Sequence, residues 1–584
     1  MTREIFEMIE IDVNRCGLDY GVSPCAAALG STGAAKCYRL KAGCQDRDHY
    51  SETDTLTLRF VRQGSFIPDG VFAFPTLVEV SQSSTTANIG GADDKYGQLG
   101  GRASMSFTVL DHPYHERGID PYADQRVSGA AQAGGIGYNP ATSGTLWGKH
   151  KARWPNYSRA AVRLIRGYIV NRALTDTTTY HYQMAEIDGP SDGKVKVKTA
   201  GVINLFDEKH ALCPKPSKGF LSTDLTAVAT SVTLTPAGIG DIDYPASGRV
   251  CIGSEVIGFT RVADVLTLTR GQRGTVAAGH NAGDTAQLVK TYTAAMPDEI
   301  MADLILNYTD TPSSYVDAVA WAAERTRWAS GVVFRTDICA PTSVALLASE
   351  LGALGFSLVE DERAAKFTFR ANRPVDDGDT VWAVSDRNAR KIGPQEDRDE
   401  DRITQVLFCQ QRIDPTKALT DESNYQLKSL TVNPDATDLY EGSKTRKILT
   451  RWLDQGDETV SRVISWRVLR RFEKAPKRTP VVLDAANKAI AVLDVVDLST
   501  ADIQTEDGQP ITQRMQVIGR TEPTPYHDVR AILQRFDFTG KYGRIAPNTM
   551  PAYGSASDAE KARYAFVCDD SGAFPDGEPP YRMI

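Results

Sequence analysis

Strand-length runs of alternating character, cut by glycine, aspartate and proline, limit this chain more than any other feature. LTLRFVRQ (56–63) and ASMSFTVLDH (103–112) alternate apolar with polar residues, so one face of each run suits a core and the other suits water. VRLIRGYIV (162–170) is a more continuously apolar run of strand length. RTPVVLDAA, IAVLDVVDLST, ITQRMQVIGRTEP and HDVRAILQRFDFTG add strand-like runs late in the chain. The expected class is α+β, predominantly β. At roughly 100–200 residues per domain, 584 residues imply about three to five domains.

Texture along the chain sets the expected divisions. Residues 1–50 are a cysteine-rich arm, and 51–217 a first β domain. LTAVATSVTLTP, GRVCIGSEVIGFTRV, VLTLTRGQRGTVAAGH and AGDTAQLV then form a small inserted β-barrel or sandwich over 218–290, between the linker-like flanks PKPSKG and KTYTAAMPDE. An α+β unit follows over 291–400. PDEIMADLILNY (297–308) opens with proline and two acids, which favour a helix N-terminus. Helices are also expected over 313–328 and 341–356. The mixed charges of EDRDEDR (396–402) read as a solvated boundary. Residues 401–545 form a second domain. Within it ETVSRVISWRVLRRFEKAP reads as a helix, with Val460, Val463, Ile464 and Val468 on one face, and SKTRKILTRWLD stands before it across Gly456. Residues 546–584 are a polar, proline-containing tail suited to lying along a neighbour.

Four of the nine cysteines, Cys16, Cys25, Cys37 and Cys44, fall in one N-terminal stretch spaced C-x8-C-x11-C-x6-C. The start, MTREIFEMIEID, has no apolar core with a cleavage site, and no apolar run approaches the ~20 residues that span a bilayer. Folding in a cytoplasm is expected, without an integral membrane segment. Thiols stay reduced there, which disfavours a disulfide framework. Clustered thiolates are soft ligands for zinc, copper(I) or iron–sulfur centres. Gly17, Gly21, Gly30, Gly33 and Gly43 let the backbone wrap closely. Zinc sites usually contain a C-x2–4-C knuckle, which is missing here. The longer gaps suit a wider centre such as [4Fe–4S], although ferredoxin spacings are not matched. From the residues alone, iron–sulfur, zinc and no metal all stay open.

Other chemistry is thin. His112 and His115, in DHPYHERGIDPY, read as a turn, and H-E-x-x-H, G-x-S-x-G and G-x-x-x-x-G-K-[ST] are missing from the sequence. The glycine-rich stretches 87–104 and 129–140 read as loops. LWGKHKARWPNYSRAAVRLIRGYI (146–169) interleaves cations with aromatics and suits an interface or a strand edge better than nucleic acid. A net charge of −8 gives no global attraction to phosphate, so stable nucleic-acid binding is not expected. The expectation is a protein without catalytic residues, the alternative being a cell-wall hydrolase or polysaccharide-degrading enzyme.

Four segments together resemble the baseplate hub, or tail-tip, proteins of long non-contractile-tailed phages (siphophages) and gene transfer agents. They are IGSEVIGFT…LTLTRGQRGTVAAGH (252–280), MSFTVLDHPYHERGIDPY with GTLWGKHKARWPNYSRAAVRLIRGYI, LTRWLD…VISWRVLRRFEKAP, and YGRIAPNTMPAYGSASDAEKARYAFVCDD. The x8 and x6 gaps also resemble the four-cysteine iron–sulfur segment of the lambda tail-tip protein L, with a shorter middle gap and an N-terminal instead of a C-terminal position. The resemblance implies a tail-hub architecture of tube-like β domains, with 51–217 and 401–545 as the two hub domains. It implies a homotrimeric virion structural protein at the tail tip, assembled in the host cytoplasm, that closes the tail tube and opens for DNA ejection. Its implied partners are the distal tail protein, the tape-measure protein and tail fibre or central tip proteins. The implied cofactor is a [4Fe–4S] cluster, with zinc as the alternative, held by Cys16, Cys25, Cys37 and Cys44. The third segment implies a helix pair before the final β segment.

Overall fold

A computed structural model describes residues 3–29, 31–32, 37–83, 85–89, 99–122, 142–376, 378–439, 442–454, 456, 458–525, 527–536, 538, 542–545, 550–557, 560–561, 564–566, 574 and 582–583. The glycine-rich stretch 129–140, residues 90–98 of the stretch 87–104, Cys568 and most of the C-terminal tail lie outside these residues.

The alternating runs close into a barrel. Its strands, in spatial order, are Glu4–Arg15, Asp54–Arg62, Phe74–Ser83, Ser104–Leu110, Lys194–Ala200, Ala173–Ser191 and Ala161–Val170, the last pairing back onto the first. Closure runs antiparallel from Glu4 opposite Ile169 to Ile11 opposite Val162. Every second residue points inward, so Ile9, Ile11, Val13, Phe60, Met105, Phe107, Val109, Leu164, Val195 and Val197 fill one core. The helix Leu146–Arg153, capped by the Thr145 hydroxyl accepting from the Gly148 N–H, adds Trp147 to that core. The cations of 146–169 are engaged within the fold. Arg163 pairs with Glu10 and Asp12, Arg166 with Glu7, and Lys149 and Arg153 with Glu116.

A six-stranded sheet over Phe220–Leu288 has its own core, including Val232, Leu234, Val250, Ile257, Phe259 and Leu266. It is joined to an α+β body by the continuous segment 287–295. One end of this segment pairs with Ser247–Ile252 and the other with Phe334–Ile338. The body packs the helices Pro297–Tyr308, Ala318–Trp328, Val344–Ala353 and Thr459–Phe472 against two-stranded and three-stranded sheets, around Phe334, Phe356, Phe408 and Trp452.

A second large sheet has the path Val381–Ser385, Val495–Gln504, Pro510–Thr524, Asp528–Arg535, Lys477–Asp484 and Ala389–Ile392. The short strand Thr85–Thr86, from the loop after a barrel strand, pairs with Pro510–Thr524. Arg166 extends from the barrel to donate to the Glu522 carbonyl at 2.6 Å. The two β bodies are therefore welded through backbone and side chain.

Four expectations differ from this structure. Glu4–Arg15 is a barrel strand, so only the residues beyond it form an arm. Residues 381–392 join the second sheet while 405–472 pack into the α+β core, so the division drawn near 400 does not follow the cores. LTRWLD (449–454), expected as the first of a helix pair, is not helical: its Leu449 ends the strand Thr445–Leu449, which runs parallel to Gln405–Arg412, a partner supplied from about forty residues away. The charged run 396–402 is not wholly solvated, since Asp401 and Arg402 are buried.

Candidate metal centre

The barrel strand Glu4–Arg15 and the next strand end on a last pair, Arg15 with Asp54, which leaves residues 16–53 as a single connection at one end of the barrel. Little regular structure forms there. Among the described residues the connection holds one 3-10 turn, Lys41–Gly43, so tertiary contacts must supply its order. The Cys16 N–H donates to the Arg39 carbonyl at 2.8 Å, and the Gly17 N–H to the Ser51 carbonyl at 3.0 Å. A Cβ at Gly17 would collide with the Thr53 hydroxyl, so glycine is needed for this close return.

Arg39 is the organiser. Its φ of 59° is a left-handed conformation that costs a non-glycine residue free energy. The turn aims its side chain at Asp19, 2.7 Å away, and Asp54, 3.3 Å away. Its backbone N–H donates to the Cys37 sulfur at 3.0 Å. Asp46 accepts from the Ala26 N–H at 2.6 Å and stands 2.9 Å from His49 Nδ1, while its carbonyl accepts from the Cys44 thiol at 3.1 Å. The distant Tyr122 accepts from the Tyr20 N–H at 2.8 Å and sets its ring edge-on to that of Tyr20. Arg153, from the barrel helix, stacks 4.0 Å over the Tyr38 ring.

The structure brings all four predicted cysteines into one neighbourhood. Cys16 is buried, and Cys25, Cys37 and Cys44 are half-buried, all as free thiols. Burial pushes the Cys37 thiol up, and charge on Cys44, Cys16 and Cys25 adds to it, against the stabilising Arg39 N–H. Burial also pushes up Cys44, with Cys16 and Cys25 adding to it against a backbone hydrogen bond at Asp46. Tyr20 is raised by burial and then by Cys37 and Cys25, and Tyr50 by burial, Glu52 and Cys16. Cys37 thus lies within electrostatic reach of the other three sulfurs, and Cys44 within reach of Cys16 and Cys25. Among the described residues, however, no three His, Cys, Asp or Glu side chains form a closed metal-holding group. The donor set nonetheless fits a soft cationic centre. Ionisation of Cys37 and Cys44 is opposed by burial and by the other thiols, and a metal charge would reverse that opposition.

His112 and His115 do not join the thiols. His115 Nδ1 accepts from the Arg117 N–H at 3.0 Å, as a turn residue does, and His112 Nδ1 is buried without a hydrogen-bond partner. Sequence reasoning missed Arg39, Asp46 and Tyr122. No motif marks them, and Tyr122 is about a hundred residues from Tyr20.

No family model matches the chain, and no curated protein matches it. Among solved structures, it is similar to a tail protein from Neisseria meningitidis MC58 at 9% identity and a TM-score of 0.33, covering 78% of this chain and 92% of that one. It is similar to the 43 kDa tail protein of prophage MuSo2 from Shewanella oneidensis at 8% identity and TM-score 0.32, covering 79% and 98%. The prophage tail protein gp18 from Listeria monocytogenes EGD-e gives 8% identity and TM-score 0.29 over 64% and 84%.

Proposed function

We propose that this chain is a structural baseplate hub protein of a long non-contractile phage tail or gene transfer agent particle, in which three copies close the tail tube and open it for DNA ejection. The observation that carries the reading is the presence of two β bodies in one chain. The seven-stranded barrel and the second large sheet are joined by the Thr85–Thr86 strand and the Arg166 bridge. Three such chains supply six β bodies, the number needed to meet a sixfold tube.

The arm's part in this reading is a clip. The described residues of 16–53 form no core of their own, and a metal centre converts binding free energy into folding free energy. Cys16, Cys25, Cys37 and Cys44 would hold a [4Fe–4S] cluster, which would supply structural cross-linking there. Arg39 and Asp46 orient Cys37 and Cys44 through the 3.0 and 3.1 Å contacts. The surfaces facing a distal tail protein, a tape-measure protein and fibres belong to the same reading.

Electron microscopy of particles carrying a tagged chain tests it. Three copies at the tube end are expected. Six copies along the tube, or none in the virion, would contradict the hub role. Zymography adds a second check. Clear lysis of cell wall, lost on changing a single carboxylate, would replace the structural reading with a hydrolase.

A further inference from the structure

Two buried cysteines outside the arm meet across the junction between the inserted unit and the α+β body. Cys251 lies on the strand Ser247–Ile252 of the inserted unit, opposite Gln287. Cys339 follows the body strand Phe334–Ile338, whose Ile338 lies opposite Lys290. The continuous segment 287–290 therefore holds both strands in register. Cys251, Cys339, Val256 and Val289 form one buried cluster. The junction is also braced electrostatically. Arg249 donates to Asp337 at 3.1 Å, and Arg273 lies 2.6 Å from Asp337 and 3.0 Å from Asp454. The two sulfurs thus sit at a fixed place between two separately cored units.

We propose that Cys251 and Cys339 are a redox pair, which a small disulfide such as oxidised glutathione converts into a covalent tie between the inserted unit and the body. The pair is reachable, because a cleft of about 520 Å³ is lined by both cysteines together with Gln287, Thr342, Lys417 and Arg451. The Cys251 sulfur donates to the Gly253 carbonyl at 3.5 Å, and both cysteines belong to the same buried cluster. The neighbouring Cys339 lowers the Cys251 thiol, while Cys251 and burial push the Cys339 thiol up. Cys251 is therefore the first nucleophile. Its thiolate attacks one sulfur of oxidised glutathione, forming a mixed disulfide and releasing one glutathione thiolate. The Cys339 sulfur, as it loses its proton, attacks the Cys251 sulfur and releases the second. Two protein thiols lose two electrons and two protons in total. The glutathione disulfide gains both electrons, and the protons end on two glutathione thiols. The direction suits a particle that is assembled reduced and released into an oxidising medium.

The test uses the full chain, freed of reductant, exposed to oxidised glutathione, blocked with iodoacetamide and digested without reduction for mass spectrometry. The expected product is a peptide pair joined through Cys251 and Cys339, lighter by two hydrogens, with loss of alkylation at both. Cys339→Ser should instead keep glutathione on Cys251, and Cys251→Ser should give no cross-link. Because the wild-type result is diagnostic by itself, the proposal does not depend on either variant folding. It is overturned if both residues remain fully alkylated while arm cysteines oxidise. It is equally overturned if wild-type Cys251 stops at the glutathione adduct with Cys339 free.

Discussion

Glu255 gives the sharpest energetic prediction. It begins the strand Glu255–Val262 of the inserted unit and is 0% exposed. Its two oxygens accept from Arg270 at 2.9 and 2.7 Å, from the Gly271 N–H at 2.9 Å and from the Ala278 N–H at 3.1 Å, and one stands 2.8 Å from His280 Nε2. Burial opposes the charge, but Arg270, His280 and the two N–H groups outweigh it and take the carboxyl from 4.5 down to about 2. At roughly 1.36 kcal/mol per pKa unit, the charged form contributes about 3 kcal/mol. A depressed folded pKa gives stability that is present above the unfolded value near 4.5 and is lost as pH falls toward 2. Glu255→Gln keeps the shape but removes the charge, leaving the Arg270 guanidinium buried against a neutral amide. The expected cost is about 3 kcal/mol, on the order of a hundredfold rise in local opening. Hydrogen exchange of the full chain at pH 7 measures this over residues 247–272, with 477–535 as the internal control. A change confined to 247–272 agrees with the reasoning. Protection within about threefold of wild type, or equal loss in both regions, would refute it.

Three other changes probe the joints of the fold. Arg166 is 1% exposed and donates to Glu7 at 3.1 and 2.9 Å, to Gln82 at 2.9 Å and to the Glu522 carbonyl at 2.6 Å, so Arg166→Met should cost roughly 3–5 kcal/mol and lower the first melting transition seen by calorimetry. Burial, followed by the charge of Glu362, raises Glu360 to about 8, although Val202 and Ile203 donate N–H bonds to it. Its folded form holds a proton that the unfolded form has released, so stability falls as pH rises from about 4.5 to about 8, and Glu360→Gln should flatten that slope in melting curves. Gly274 has φ +77°, and a Cβ there would strike the Ile413 carbonyl, so Gly274→Ala should cost about 1–3 kcal/mol and speed proteolysis of the 214–219 linker.

The barrel was legible where local pattern and burial agree. Met105, Phe107 and Val109 face inward just as the alternation in ASMSFTVLDH requires. Glu4–Arg15 was hidden because both its faces are buried. Phe6 and Met8 pack outside the barrel, Ile9 and Ile11 pack inside, and the acids Glu7 and Glu10 are matched by arginines about 150 residues later. No local reading reveals that Glu7 will meet Arg166. The same limit hid the strand Thr445–Leu449, whose pairing is non-local. At the candidate site, the cysteine count marked the sulfurs. Their shell depends on the left-handed turn at Arg39 and on Tyr122 arriving from another loop, neither of which leaves a spacing signature.

The most direct test of the central claim is metal and acid-labile sulfide analysis, with visible absorbance, on the full chain isolated under argon. The four-thiol arm predicts about four iron and four sulfide per chain and a brown charge-transfer absorbance, lost in Cys25→Ser. A colourless protein holding one zinc, or no metal at all, would contradict it.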